Sequence, residues 1–176
     1  MTNGRAVILV DANIARSAAE NGDHPTTRAS LSLARTLQAK DCETDLLMTP
    51  ALRSEWMEHA SPLMSGWLVE MFQRRRVRSV VDKPVRDLRN AVNDVLDAGV
   101  KNALMKDLHL SEAAILRCAP VASLDDRQRR YLRVICDTYK RAGDIQWLNP
   151  EKDAEWEGWI RGGCVDPERF SVAECA

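Results

Sequence analysis

Residues 5–14 read RAVILVDANI: five consecutive apolar residues, Ala6 to Val10, run straight into the carboxylate of Asp11. A continuous apolar run of this length suits a strand covered on both faces, as in a parallel sheet packed between helices. In open α/β folds, ligands bind beyond the carboxyl ends of the strands. An acid emerging at that point faces a cleft, so the placement of Asp11 bears on function as well as on fold.

Working outward, TDLLMT (Thr44 to Thr49) and PVASL (Pro120 to Leu124) have the same apolar character. IQWL (Ile145 to Leu148) ends at Asn149-Pro150, and Val77 to Val81 is a weaker strand candidate. Between the strands the period becomes helical. Leu63, Met64, Trp67, Leu68, Met71 and Phe72 form one stripe behind Pro62, a residue that the first helical turn tolerates. Leu88, Val92, Val95, Leu96 and Ala103 predict a second amphipathic helix. Leu110, Ala113, Ala114 and Leu116 predict a third, beginning close to Asp107, and Leu33 and Leu37 support another over 27–39. Alternating strands and helices predict an α/β fold, a parallel four- or five-stranded sheet flanked by helices with right-handed crossovers.

The 176 residues suffice for one domain with its own core. With 45% hydrophobic and 29% charged residues and no low-complexity tract, the composition is that of an ordinary globular protein. Twenty-five basic residues nearly cancel 26 acidic ones, so net charge does not announce a nucleic-acid binder and local charge must carry that reading. Cys42, Cys118, Cys136, Cys164 and Cys175 are odd in number, scattered and without zinc-ligand spacing, which suits reduced thiols in a cytoplasmic setting. The five-residue apolar run is too short for a signal peptide core or a membrane span, so no membrane partner is expected.

Three further acids share the logic of Asp11. Asp125, with Asp126 beside it, follows the strand PVASL, and Asp107 stands at the expected start of LHLSEAAIL. Glu55 lies in a helix that Thr49 should cap and Pro50 should open, about one turn past the strand TDLLM. Singly, each has an ordinary reading: Asp107 as a helix cap, Asp125 as a turn residue, Glu55 as solvated surface. As a set they are four carboxylates near one sheet edge, with no His, Cys or Lys nucleophile arrangement evident nearby. Clustered oxygens without nitrogen or sulfur ligands suit Mg2+ or Mn2+. Two ionised carboxylates about 4 Å apart repel by roughly 4 kcal/mol at an effective dielectric near 20, a cost that a cation relieves.

These residues, in this order, resemble the PIN domain family of metal-dependent nucleases, which includes toxin ribonucleases. VILVDANI looks like its first-strand motif, TPALRSEW its glutamate-bearing helix, KDLHLSEAAIL its third acidic motif and VASLDD its strand-end Thr/Ser-x-Asp motif. The resemblance implies a nuclease domain over 5–150 with a C-terminal extension over 151–176. It implies Asp11, Glu55, Asp107 and Asp125 as catalytic acids, with Asp11 and Asp107 as direct metal ligands. Asp125 would be a direct or water-mediated ligand, and Glu55 a ligand or the orienter of the attacking water. Asn13 and Ser123 match supporting polar positions, and Asp126 leaves the fourth acid open between two neighbours. The segment from Arg74 to Asp87 matches no motif of the family.

The chemistry implied is phosphodiester hydrolysis assisted by Mg2+ or Mn2+. A polyanion approaching four acids needs nearby cations. Arg74, Arg75, Arg76 and Arg78 form one cluster and Arg127, Arg129 and Arg130 another, from which Arg75, Arg76, Arg127 and Arg130 are the expected nucleic-acid contacts. Single-stranded RNA is the expected substrate, since no groove-reading DNA motif is present. Because the family includes toxins held by antitoxins, an antitoxin or other protein partner and a homodimer stay open. Trp156 and Trp159, three apart in EWEGWIRGG, suit covering core or meeting a partner, with base stacking as the other reading. The rivals are an aspartyl phosphatase, whose second acid would stand where Asn13 is, a receiver domain lacking its paired acids here, and a PIN-like module that binds RNA or protein without cutting.

Overall fold

The structure, a computed structural model, describes residues 4–19, 22–95 and 97–174. In chain order it runs β1 (Ala6–Val10), α1 (Ala12–Ser17), α2 (Pro25–Gln38), β2 (Thr44–Met48), α3 (Pro50–His59), α4 (Pro62–Gln73) and β3 (Val77–Ser79). It continues with α5 (Arg86–Val95), α6 (Ala98–Lys106), α7 (Leu108–Arg117), β4 (Val121–Ala122), α8 (Asp126–Ile135), β5 (Trp147–Leu148) and α9 (Trp156–Arg161). The five strands form one all-parallel sheet in the order β3-β2-β1-β4-β5, flanked by helices. The expected fold class is therefore present.

β1 is central because it is apolar on both faces: Ile8, Leu9 and Val10 are fully buried, with Ile8 opposite Leu46 of β2 and Leu9 opposite Val121 of β4. The all-parallel pairing sends the carboxyl ends of β1, β2 and β4 to one edge, where Asp11, Thr49 and Ser123 emerge. Local chemistry starts the flanking helices there. Thr49 accepts from Leu52 N at 3.2 Å and Pro50 occupies the first turn of α3; Ser61 accepts from Met64 N at 3.2 Å and Pro62 opens α4. The Thr49 cap and the places of Pro50 and Pro62 agree with the sequence expectation; the Ser61 cap is an addition.

Three expectations are corrected. The helix expected over Leu88 to Ala103 is two helices, broken where the Asp97 carboxylate accepts from Gly99 N and Val100 N, each at 3.0 Å. An interior aspartate that caps backbone donors starts a new helix. Leu96 lies outside the described residues. The strands expected over Pro120–Leu124, Ile145–Leu148 and Val77–Val81 shorten to β4, β5 and β3, and α1, directly after Asp11, was not expected. Leu116, placed on the buried stripe of the third helix, is 40% exposed while Leu110 and Ala114 are buried, because it lines an open cavity beside Val80 and Val81.

The C-terminal extension joins the same core. Trp156 and Trp159 on α9 are both buried, the Trp159 ring meets Phe170 edge-on with centroids 5.1 Å apart, and Gln146 bridges Ser171 in antiparallel pairing beside β5. Burial of both indoles removes the base-stacking reading and selects core covering. No described helix is long and apolar enough to cross a membrane. Cys42, Cys118, Cys136 and Cys164 are unbridged, and Cys175 lies outside the described residues.

Candidate active site

Asp11, Asn13, Glu55, Asp107 and Asp125 line one open cleft of about 260 Å3 at the carboxyl edge of the sheet, together with Arg16 and His59. All four predicted catalytic acids are thus brought together, although they arise from β1, α3, the α6–α7 junction and the loop after β4.

Asp11 is the most constrained of them. Its Oδ2 accepts from Ser123 Oγ at 2.6 Å and from Asn13 Nδ2 at 2.8 Å, while Oδ1 accepts the Asn13 backbone N–H at 3.1 Å, so that it caps α1. Ser123 Oγ in turn accepts from Asp125 N at 3.1 Å and from Asn13 Nδ2 at 3.0 Å, and Asn13 Oδ1 accepts from Leu124 N at 3.2 Å. The two predicted supporting residues therefore tie the end of β1 to the end of β4 and fix the rotamer of Asp11. The carboxyl of Asp11 is pushed up to about 6, mainly by burial, with Asp107 and Glu55 adding repulsion against its Ser123 and Asn13 hydrogen bonds.

Glu55 is placed by its neighbour. Trp56 is fully buried, stacks on Trp67 with ring centroids 6.0 Å apart, and donates its indole N–H to Val10 O at 2.8 Å. That bond pins α3 to the residue before Asp11, leaving the half-buried Glu55 over the cleft.

Asp107 ends α6 and precedes α7, yet its side chain makes no capping hydrogen bond. It accepts instead from Gln128 Nε2 at 2.9 Å. Its pKa is raised, first by burial and then by Glu55. The helix-cap reading of its side chain is thereby replaced: the carboxylate is turned to the cleft.

Asp125 does cap α8, accepting from Arg127 N at 2.8 Å, and also binds Arg127 Nη2 at 3.1 Å. Asp126 points elsewhere. It accepts from Asn149 Nδ2 at 2.9 Å and from Lys152 Nζ at 2.5 Å, which hold its pKa low against the opposing effect of burial. Asp125 is therefore the acid of the cleft, and Asp126 anchors the loop after β5.

The predicted cations divide. Arg127 stands at the cleft rim beside Asp125, and Arg130 is exposed on the same helix. Arg76 is corrected: it is 7% exposed, with Nε donating to Asp45 Oδ1 at 2.6 Å and Nη2 to Thr44 O at 2.7 Å. A buried guanidinium with its donors satisfied by protein cannot reach a phosphate. Arg75, though exposed, precedes β3, as does Arg74, so both lie at the amino edge of the parallel sheet, away from the acids. Arg78 contacts Asp45 Oδ2 at 3.2 Å, and Arg129 binds Asp153 Oδ2 at 3.0 Å.

Sequence reasoning missed His109, His59 and Arg16. His109 Nε2 stands 3.4 Å from Glu55 Oε2, an ion pair without good hydrogen-bond geometry. Burial lowers its pKa, but Glu55, Asp107 and Asp82 outweigh this and raise it above the ordinary histidine value. The available signal was the spacing of KDLH: two residues after Asp107, His109 lies on the first turn of α7, near the same edge.

No family model, curated protein or solved structure matches the chain.

The donor set fits a hard divalent cation: four carboxylates supply oxygens only, and Asp11 and Asp107, whose pKa burial raises first and neighbouring acids raise further, are the ones a cation would relieve. Among the described residues, no three His, Cys, Asp or Glu side chains are gathered closely enough to hold one ion. Mg2+ keeps several waters and commonly takes only one or two carboxylates directly, so a partly water-mediated site matches this spacing.

Proposed function

We propose that this protein is a Mg2+- or Mn2+-dependent endoribonuclease of PIN type that hydrolyses phosphodiester bonds of single-stranded RNA. One observation carries the reading: Asp11, Glu55, Asp107 and Asp125, from four separate segments, line one cleft at the carboxyl edge of a parallel sheet. Asp11 and Asp107 would hold the metal directly and Asp125 through water or directly, with Glu55 orienting the attacking water. When bound, the metal lowers the pKa of a water and steadies charge on the phosphate.

The chain's own residues do the positioning. Ser123 and Asn13 lock Asp11, Gln128 holds Asp107, and the Trp56 bond to Val10 sets the height of Glu55. His109 Nε2 stands 3.4 Å from Glu55 Oε2, and against the opposing effect of burial Glu55 and Asp107 raise the His109 pKa. Arg127 at the rim is placed to exchange Asp125 for an incoming phosphate. A toxin role with an antitoxin partner, in the cytoplasm, belongs to the same proposal.

The test is incubation with labelled single-stranded RNA and DNA in Mn2+, Mg2+ or EDTA, beside Asp11→Asn. RNA cleavage that needs the metal and vanishes in the variant is expected. Absence of cleavage of every substrate overturns the proposal and favours the second reading, a PIN-like module that binds without cutting. That alternative draws on the Arg127 ion pair, which already engages Asp125.

A further inference from the structure

We infer that a second cavity, behind the acidic cleft, is a subsite for one unpaired nucleotide of the strand being cut. The inference rests on the cleft being the place of cleavage. The cavity, of about 250 Å3, is formed by the segment after β3 and the outer face of α7. The two spaces adjoin at one side-chain contact: His109 lines the cavity, Glu55 lines the cleft, and His109 Nε2 is 3.4 Å from Glu55 Oε2.

Its chemistry is that of a nucleotide. Val80, Val81 and Leu116 supply apolar surface, and Val81 and Leu116 are 72% and 40% exposed with no protein group covering them. Lys83, Arg89 and Arg117 stand around that surface. Of the two acids present, Glu112 is neutralised by a bidentate pair with Arg89 at 2.6 and 2.9 Å, and Asp82 accepts the backbone N–H of Ala51 at 2.9 Å. Among the described residues Lys83 and Arg117 make no ion pair, and against the remaining charge of Asp82 they leave this surface net positive.

An apolar slot suits the face of a base, and two unengaged cations at its edge suit the flanking phosphates. The volume lies below the roughly 300–1,000 Å3 of drug-sized pockets, which matches a single base rather than a longer element. An unpaired base enters such a slot without the cost of unpairing, so the subsite favours single strands. The cavity adds Lys83 and Arg117 to the attraction for a polyanion that Arg16 and Arg127 offer at the acidic cleft.

The test compares wild type with the Lys83→Ala/Arg117→Ala double variant, both exposed positions, using a short fluorescein-labelled oligouridylate. In Mn2+ the double variant should raise KM roughly tenfold, about 1.4 kcal/mol of binding, with a smaller effect on kcat. In EDTA, the slope of log K against log salt should fall by about 0.7 for each phosphate that the protein no longer neutralises. Unchanged KM and unchanged slope overturn the subsite. Should wild type cleave nothing, the nuclease reading fails by itself, and the slope still decides: a shallower slope in the variant supports the subsite, an equal one overturns it.

Discussion

Trp56 and Val10 are joined by an indole N–H to carbonyl bond of 2.8 Å, and each is the immediate neighbour of a cleft acid, Glu55 and Asp11. The distance between two carboxylates 44 positions apart in sequence is therefore set by one buried hydrogen bond. Trp56→Phe keeps most of the apolar volume and deletes the donor. It should cost about 1–3 kcal/mol of stability. Metal-dependent cleavage should fall further than unfolding accounts for; urea melts and initial rates on the same preparation measure both. A variant with reduced stability and full activity would separate the bond from the site.

Asp11→Asn should stabilise the metal-free protein. A carboxyl raised from an ordinary 3.8 to about 6 costs about 3 kcal/mol of folding free energy once both states are ionised. Asparagine removes the charge and keeps one acceptor oxygen, for Ser123, at the smaller loss of the Asn13 backbone hydrogen bond on the other oxygen. The melting temperature in EDTA at neutral pH should rise, while the stabilisation that Mn2+ gives wild type should shrink. An equal Mn2+ response in both proteins would remove Asp11 as a ligand.

The pH dependence has a definite sign. In the folded state Asp11 binds its proton more tightly than in the unfolded state, so its contribution to stability is greatest at low pH and is lost as pH rises from about 3.8 to about 6. Asp107 acts in the same direction, and His109, whose pKa is raised, loses its contribution as pH rises through its folded value. Asp126, whose pKa is lowered, runs oppositely, contributing above its unfolded value and losing that contribution as pH falls through the folded one. Thermal melts in EDTA across this range should show the Asp11→Asn variant less sensitive to pH than wild type between about 4 and 6. Cleavage should instead increase with pH through about 6, as Asp11 becomes able to take a cation.

Arg76→Ala should be among the most damaging substitutions in the chain. It leaves Asp45, 3% exposed, without its closest charged partner, a loss of about 3–5 kcal/mol for a buried pair broken on one side. Arg127→Ala should leave stability nearly unchanged and weaken RNA binding, with a smaller salt slope in an anisotropy titration. The two arginines look alike in sequence and separate cleanly in this comparison.

Asp125→Asn and Asp126→Asn test which neighbour serves the cleft. The first should remove metal-dependent cleavage. The second should retain it and lower stability, since Asp126 joins Lys152, Asn149 and Arg129 across the loop after β5. The reverse pattern would assign the site to Asp126.

What could be read from the sequence follows from the range of the interactions. β1, β2 and the caps of α3 and α4 are local: an apolar run, a Thr-Pro and a Ser-Pro state them outright. The four acids could be grouped because parallel pairing sends successive strand ends to one edge. Arg76 could not be distinguished from Arg75, because burial depends on Asp45, 31 positions away. His109 was missed for the same reason, its partner Glu55 lying on another helix. The break at Asp97 was hidden by a hydrophobic period that happens to continue across it, and β4 and β5, legible as strands from their apolar runs, pair over only two residues each, a length that depends on the neighbouring strands.

The C-terminal segment has a bearing on how copies of the chain can meet. Trp147 N donates to Phe170 O, and Gln146 bridges Ser171, so the outer side of β5 is already occupied by the chain's own tail. At the opposite margin β3 offers only three residues, with the charged Arg78 in the middle. Short, charged or covered margins discourage strand addition. A homodimer of this protein would therefore be assembled through helix surfaces, with each sheet kept to its own five strands.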